Sequence, residues 1–305
     1  MTFCALSSAK GMDINMNELV VKNISKIYGK KVVLENINFS IRAGMVGLLG
    51  NNGAGKTTLM NMITGLIPPT KGEILLNGKN INENPLYARK LIGYLPQEFE
   101  LYDNLTAYEM LEYIAGLNRI PKNKRNERIM EILEMVNLYK NKDEKVGGFS
   151  GGMKRRIGIG MVLIKNPKVI IVDEPTAGLD PIERVRFRTL LTTLSNEKIV
   201  LLSTHIVEDI SATCNKLLFI KNKNIEFQGT PQEWLAAMKD KVAESIITDM
   251  KELKEFDKEY NIISVKQTNG GVLVRFIIDK PSIKPFKFKI VDANLEDAFL
   301  FHSGK

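Results

Sequence analysis

Three short stretches of the chain, residues 45–49, 169–172 and 199–202, carry no polar side chain at all. Runs of four or five such residues leave no face for water, so they predict strands buried on both sides, as in the middle of a parallel sheet. Residues 18–21, 32–34 and 37–41 also predict strands, with a turn at Tyr28-Gly29 between the first two. Residues 72–78 predict a short strand that ends in an Asn turn at Asn77. Residues 106–161 are mostly helical in pattern, with polar breaks at 121–124 and 141–148. Pro181 suits the first turn of a helix that runs to about Leu194. Alternating strands and helices of this kind predict an α/β fold with a parallel sheet and helices on both faces.

Near Gly229 the texture changes, and residues 240–305 predict a second, smaller α+β unit. Within it, 243–248 is expected as a strand and 250–260 as a charged helix. Residues 262–267 and 272–278 flank Asn269-Gly270-Gly271, a hairpin signal. Residues 286–291 would pair as a third strand and 294–301 would close the chain as a helix. Residues 1–15 are expected to be an unstructured leader, and Met16 could equally be the start.

Chemistry enters at residues 50–58, GNNGAGKTT, placed between an apolar strand and a helix. Gly50, Gly53 and Gly55 let backbone N–H groups converge on phosphate oxygens, with Asn51, Asn52, Ala54 and Thr58 completing the loop. Lys56 supplies a point charge for the β- and γ-phosphates, and the Thr57 hydroxyl is a natural Mg²⁺ ligand. The following helix directs its positive end at the same anion. A nucleoside triphosphate is the implied ligand. The strand 169–172 then ends in Asp173-Glu174, at the sheet edge where ligands of open α/β folds bind. Successive residues there point differently, so Asp173 can serve the Mg²⁺ while Glu174 orients and deprotonates an attacking water. A second helix start, Ser150-Gly151-Gly152, has a good N-cap serine and also suits an anion. Two cradles with one lysine and one base suggest that the second serves another chain's nucleotide.

The totals narrow the class. A formal net charge of +8 comes from a lysine-rich surface, but no basic block is interleaved with aromatics, so nucleic acid is not an expected partner. The two cysteines, Cys4 and Cys214, make neither a disulfide framework nor a metal pattern, which fits a reducing compartment. No apolar run approaches the roughly 20 residues of a membrane span.

In order between residues 18 and 229, six motifs resemble those of the ATP-binding subunit of ATP-binding cassette (ABC) transporters. Residues 50–58 match the Walker A motif, and Leu95-Pro96-Gln97-Glu98 is similar to the Q-loop. Residues 149–153 resemble the family signature and 169–174 the Walker B strand. Ala177-Gly178-Leu179-Asp180 matches the D-loop and Ser203-Thr204-His205 the switch histidine. The resemblance implies a P-loop NTPase cassette at 16–235, with a mixed sheet and a helical subdomain at about 98–160, plus the small C-terminal α+β extension. It implies ATP hydrolysis with Mg²⁺, in which Tyr28 stacks on adenine and Lys56, Gln97, Glu174 and His205 act in catalysis. Gln97 would share the Mg²⁺ with Thr57 and Asp173. Ser150, Gly151 and Gly152 would bind the γ-phosphate of a second, identical subunit, which Asp180 would contact.

The implied partner is a separate integral membrane permease, with this chain peripheral on the cytoplasmic face of the cell membrane. Docking is expected through residues 101–113, with Tyr102, Tyr108 and Tyr113. Residues 293–300 resemble the closing helix of exporter ATPases for drugs, antibiotics and peptides, so export is the expected direction. Phe149 and Met153 depart from the usual Leu and Gln of the signature, which bears on subfamily. The alternative is a soluble, non-transport cassette acting on ribosomes or DNA. A GTPase switch is a third reading, because Asn141-Lys142-Asp143-Glu144 nearly gives its base-recognition motif.

Overall fold

The computed structural model of the protein describes residues 17–278 and 287–304. The expected leader, and Phe286 at the start of the expected third strand, lie outside the described residues. The first half contains β1 (Glu18–Tyr28), β2 (Lys31–Arg42), β3 (Gly44–Leu49), α1 (Lys56–Ile63), β4 (Lys71–Leu76), β5 (Lys79–Asn80), α2 (Pro85–Leu91) and β6 (Ile92–Leu95). Next come α3 (Ala107–Leu117), α4 (Lys122–Met135), α5 (Gly151–Leu163), β7 (Val169–Asp173), α6 (Pro181–Ser195), β8 (Ile199–Thr204) and α7 (Val207–Thr213). The chain continues through β9 (Lys216–Lys221), β10 (Asn224–Gly229), α8 (Pro231–Ala236), β11 (Val242–Ile247) and α9 (Met250–Glu259). It ends with β12 (Asn261–Thr268), β13 (Gly271–Ile277), β14 (Lys289–Ile290) and α10 (Leu295–Ser303).

The central sheet has the order β10-β9-β3-β8-β7-β6, parallel except for the antiparallel edge pair β9–β10. The three unbroken apolar runs are β3, β7 and β8, side by side in its middle. Alternate residues feed two cores. Met45, Ile170, Val172, Val200 and Leu202 face a cluster that includes residues of α3 to α7. Val46, Leu48, Val169, Ile171, Ile199 and Leu201 face α1, α2 and a separate antiparallel sheet of order β2-β1-β4-β5. Each such side chain contributes roughly 1.5–3 kcal/mol when fully buried, so the middle of the sheet is the strongest part of the fold.

Two expectations need correction. Residues 32–34 and 37–41 are one continuous strand, β2. Asn36 takes φ 50° and Asn23, on β1, takes φ 51°. The register slips between the Ile24–Ile37 and Lys26–Leu34 pairs. This bulge keeps Leu34 and Ile37 both buried although they are three apart. The polar break at 121–124 is also shorter than expected. Pro121 immediately precedes α4, and residues 122–124 are helical, because proline costs nothing where a helix N–H lacks a partner anyway.

The C-terminal sheet has the order β12-β13-β11-β14 and carries α9 on one face. The hairpin expected at Asn269 is the β12–β13 pair. Its link to the rest of the chain is α10. Asn294 and Asp297 form a capping box at its start. The buried Asp297 carboxylate accepts from Arg275 Nε at 3.0 Å and Nη2 at 2.6 Å, and Glu244 takes a third bond from Arg275 at 2.8 Å. Leu295 and Ala298 belong to the same buried cluster as Phe219 and Trp234, and the His302 ring stacks on Trp234 at 5.4 Å.

Burial, reinforced by nearby Lys241 and Lys221 against Glu226, holds the His302 pKa below its ordinary 6.5. A depressed folded pKa means that the unfolded chain binds more protons just below pH 6.5. Stability contributed by neutral His302 is therefore complete above that pH and is lost as pH falls through the lower, folded value. The melting temperature, read from Trp234, the single tryptophan, should fall with acidification in this window. His302→Phe should flatten that part of the profile, and an identical profile in the variant refutes the assignment.

Candidate functional site

Strand register brings the phosphate loop and the two carboxylates together. Leu49, the last residue of β3, pairs with Thr204, and Asp173, the last of β7, pairs with Ser203. All three segments beyond these ends, 50–55, 174–180 and 205–206, therefore leave the sheet at one edge. Gly55 precedes α1 at φ 102°, a conformation that a Cβ disfavours. A Cβ on Gly50 would lie 2.7 Å from the Ile220 carbonyl oxygen, so only glycine lets the loop pass over β9.

A cleft of about 590 Å³ is lined by Tyr28, Lys31, Val33, Asn52, Gly53, Gly55, Lys56, Thr57, Thr58, Gln97, Asp173, Glu174 and His205. Lys56 is buried. Its ammonium donates to the Gly50 carbonyl at 2.7 Å and the Asn51 carbonyl at 3.3 Å, and lies 3.7 Å from Glu174 Oε1. Burial lowers its pKa from the ordinary 10.5, although Glu174 and Asp173 pull the other way. Ala54 bonds back to the Asn51 carbonyl at 3.1 Å, which closes the loop. Thr57 donates to Asp173 Oδ2 at 2.9 Å. Two hard oxygens thus stand side by side, a donor set that suits Mg²⁺ completed by phosphate and water better than it suits a softer metal.

Glu174 is buried, takes the left-handed φ of 47° and is fixed at three points. Its N–H donates to the Ser203 carbonyl at 3.0 Å, its carbonyl accepts from Arg155 at 2.7 Å, and its Oε2 lies 2.6 Å from His205 Nδ1. A non-glycine residue in that region costs about 1–3 kcal/mol and persists only where neighbours impose it. Exposed Tyr28 stands at the mouth, with the Lys26 ammonium 5.0 Å from its ring centre.

The other expected residues stand elsewhere. Ser150 caps α5, its hydroxyl accepting from Met153 N at 3.2 Å, and Asp180 caps α6, accepting from Glu183 N at 2.9 Å. Gly152 is buried against Glu183, whereas Gly151 lines a second cleft of about 580 Å³ with residues 97–101 and 177–179. One chain therefore does not bring Ser150, Gly151, Gly152 and Asp180 to the phosphate loop; among the described residues Gln97 alone lines both clefts. Of the three tyrosines expected to dock a partner, Tyr102 and Tyr113 form an exposed edge-to-face pair at 5.4 Å. Tyr108 instead packs on the core and bonds Asn126.

Several contributors have no obvious mark in the sequence. Tyr94 on β6 lies near Asp173, and burial together with that charge pushes its hydroxyl up to about 12. Fully buried Asp209 on α7 accepts from Thr176 and from Thr204 at 3.5 Å, and pairs with Arg188 at 3.4 Å. It ties the loop after Glu174 to the residue before His205. An acidic residue four places after the histidine was the only available signal.

The profile of the ABC transporter family matches residues 34–177. The linearmycin resistance ATP-binding protein LnrL of Bacillus subtilis is 38% identical over 214 residues, covering 70% of this chain and 69% of that one. The ABC transporter ATP-binding protein YhcH of the same organism is 30% identical over 298 residues, 94% of this chain and 96% of its own, so the likeness includes the C-terminal unit. The solved structure of cbiO1 from Clostridium perfringens, part of the ABC transporter complex cbiONQ, has a TM-score of 0.67 at 29% identity, covering 72% of this chain and 90% of that one.

Gly50→Ala should destabilise the protein by about 1–3 kcal/mol, since the clash is with backbone, and should abolish ATP binding in calorimetry. Gly148→Ala, where a Cβ meets nothing within 4 Å, should stay within about 0.5 kcal/mol. Equal melting temperatures for the two variants would contradict this account of the loop.

Proposed function

The chain belongs to the ABC transporter family as an ATP-binding subunit and an ATPase, and we propose that it works as a pair of identical copies that close around ATP to drive export through a separate membrane permease. In this reading residues 16–235 are the cassette and 240–305 an accessory unit. The observation that carries it is the split site. The lysine, the carboxylates and His205 line one cleft, while the capped, exposed tip of α5 lies on another. A second copy would bring Ser150, Gly151 and Gly152 to the γ-phosphate, and Asp180 to the interface.

Within one site, Lys56 and the loop N–H groups hold the phosphates, and Tyr28 supports the base. Glu174 takes the proton of the attacking water, with Gln97 orienting that water and His205 holding the γ-phosphate and Glu174 in line. Thr57 and Asp173, with Gln97, would hold Mg²⁺, which when bound neutralises phosphate charge. Among the described residues no helix is long and apolar enough to cross a membrane; the likeness to separate ATP-binding proteins supports a permease on another chain. The exposed Tyr102–Tyr113 pair beside a cleft of about 500 Å³ offers it a docking surface on the cytoplasmic side. The resistance named for LnrL supports an export role.

Two measurements test these roles. Glu174→Gln should lower ATP turnover at least ~100-fold and, with ATP and Mg²⁺, shift the protein to a dimer in light scattering. Adding Ser150→Arg should abolish that dimer; a dimer that survives rules out the shared site. Thr57→Val should weaken the apparent Mg²⁺ affinity, read as metal-dependent thermal stabilisation in ATP, by at least ~10-fold. Affinity for metal-free ATP should change little, and an unaltered Mg²⁺ titration removes Thr57 from the metal's ligands.

A further inference from the structure

Arg155, on the first turns of α5, is buried, yet among the described residues no carboxylate pairs with it. Its guanidinium donates to backbone carbonyls: Nε to Pro175 at 2.8 Å, Nη2 to Glu174 at 2.7 Å, and Nη1 to Gln97 at 2.9 Å and Pro96 at 3.2 Å. These four acceptors come from two segments far apart in sequence. One leaves β6 and carries Gln97; the other leaves β7 and carries Glu174. The Phe99 ring lies 5.6 Å from the guanidinium. Phe99 also presses on Gly158, where a Cβ would sit 2.5 Å from its Cζ, so the loop after β6 lies flush on α5.

Arg128 and Arg275, by contrast, each have a carboxylate partner. Burying a cation against carbonyls alone is costly unless the geometry is fixed and the surrounding field is negative. Both conditions hold here: Asp173 and Glu174 act on Arg155 through their charge while burial lowers its pKa. A planar fork of five donors can span two loops, whereas an ammonium cannot.

We infer that Arg155 is a positioning residue of the ATPase site, its guanidinium yoking the backbone of Gln97 to that of Glu174 so that the two side chains facing the attacking water keep one fixed separation. The bond to the Glu174 carbonyl also holds that residue in its left-handed conformation. Because Arg155 belongs to the helix whose tip is Ser150–Gly152, movement of that tip is transmitted to the water-facing pair in the same chain. The inference rests on the proposed roles of Glu174 and Gln97.

The test compares Arg155→Lys, Gln97→Ala and their double variant in full-length protein, reconstituted in whatever assembly shows wild-type turnover. Arg155→Lys should lower kcat by about 10- to 100-fold. ATP affinity by calorimetry and KM should stay within about 3-fold, since no Arg155 bond reaches the phosphate loop. The double variant should be little slower than the slower single variant, as residues acting as a unit are not additive. Wild-type turnover in Arg155→Lys, parallel loss of binding and turnover, or fully multiplicative effects in the double variant would overturn the yoke. If Arg155→Lys does not fold, Phe99→Leu serves: it removes the ring that holds the guanidinium in its plane, so the fork loses its aim on the carbonyls. That variant should lose kcat several-fold at constant KM, and wild-type kcat there overturns the inference. Glu174→Gln keeps the two failures apart, because wild-type turnover in it refutes the base itself and not the yoke.

Discussion

The register of three adjacent parallel strands governs the rest of this structure. β3, β8 and β7 must end level, because only then do the phosphate loop, His205 and Glu174 leave the sheet at the same place. Amphipathicity cannot set that register. All three strands are apolar on both faces, so a slip by one residue would still bury apolar side chains. Polar contacts at the strand ends supply the missing specification. Thr57 bonds Asp173, and Glu174 N–H bonds the Ser203 carbonyl. The groups that would carry out chemistry are thus the same groups that align the strands.

This division explains what could be read from the chain and what could not. The buried strands, the phosphate loop and Asp173-Glu174 were legible because each depends on local pattern: an unbroken apolar run, glycines at fixed offsets, carboxylates at a strand end. The bulge joining residues 32–34 to 37–41 was not, because the left-handed Asn23 and Asn36 are defined by one strand against the other. Arg155 was equally hidden. Lys154, Arg155 and Arg156 are consecutive, and a helix spreads them about 100° apart. Lys154 turns to Asp103, Arg156 to Glu183 and the carbonyl of Asn137, and Arg155 inward. Composition sees three equal cations; only the neighbours distinguish them.

The C-terminal unit bears on the site by way of α10. That helix contributes Leu295 and Ala298 to the main core and is fastened to its own sheet by Arg275 and Asp297. It also packs against α7, whose Asp209 holds Thr176 and Thr204. A displacement of the small sheet would therefore reach the residues flanking Glu174 and His205 through two packed helices and one buried carboxylate. Buried groups with discrete partners transmit such shifts because a close-packed core does not deform continuously.

The proposed pairing of two copies follows from the same economy of donors. The first N–H groups of a helix have no acceptor inside it. At the start of α5 the Ser150 hydroxyl satisfies Met153 N–H, while exposed Gly151 has no Cβ to keep an anion away. In the phosphate cleft the cationic side is furnished by Lys56, yet that lysine shares its charge with Glu174, and Asp173 adds a second negative group. A bound triphosphate would add several more negative charges to this pocket. On the proposed reading a helix tip from the neighbouring copy adds a second positive end to that of α1. Because Arg155 anchors that same helix to Gln97 and Glu174, the copy that donates its tip to the neighbour's phosphate would have its own water-facing pair adjusted by the act.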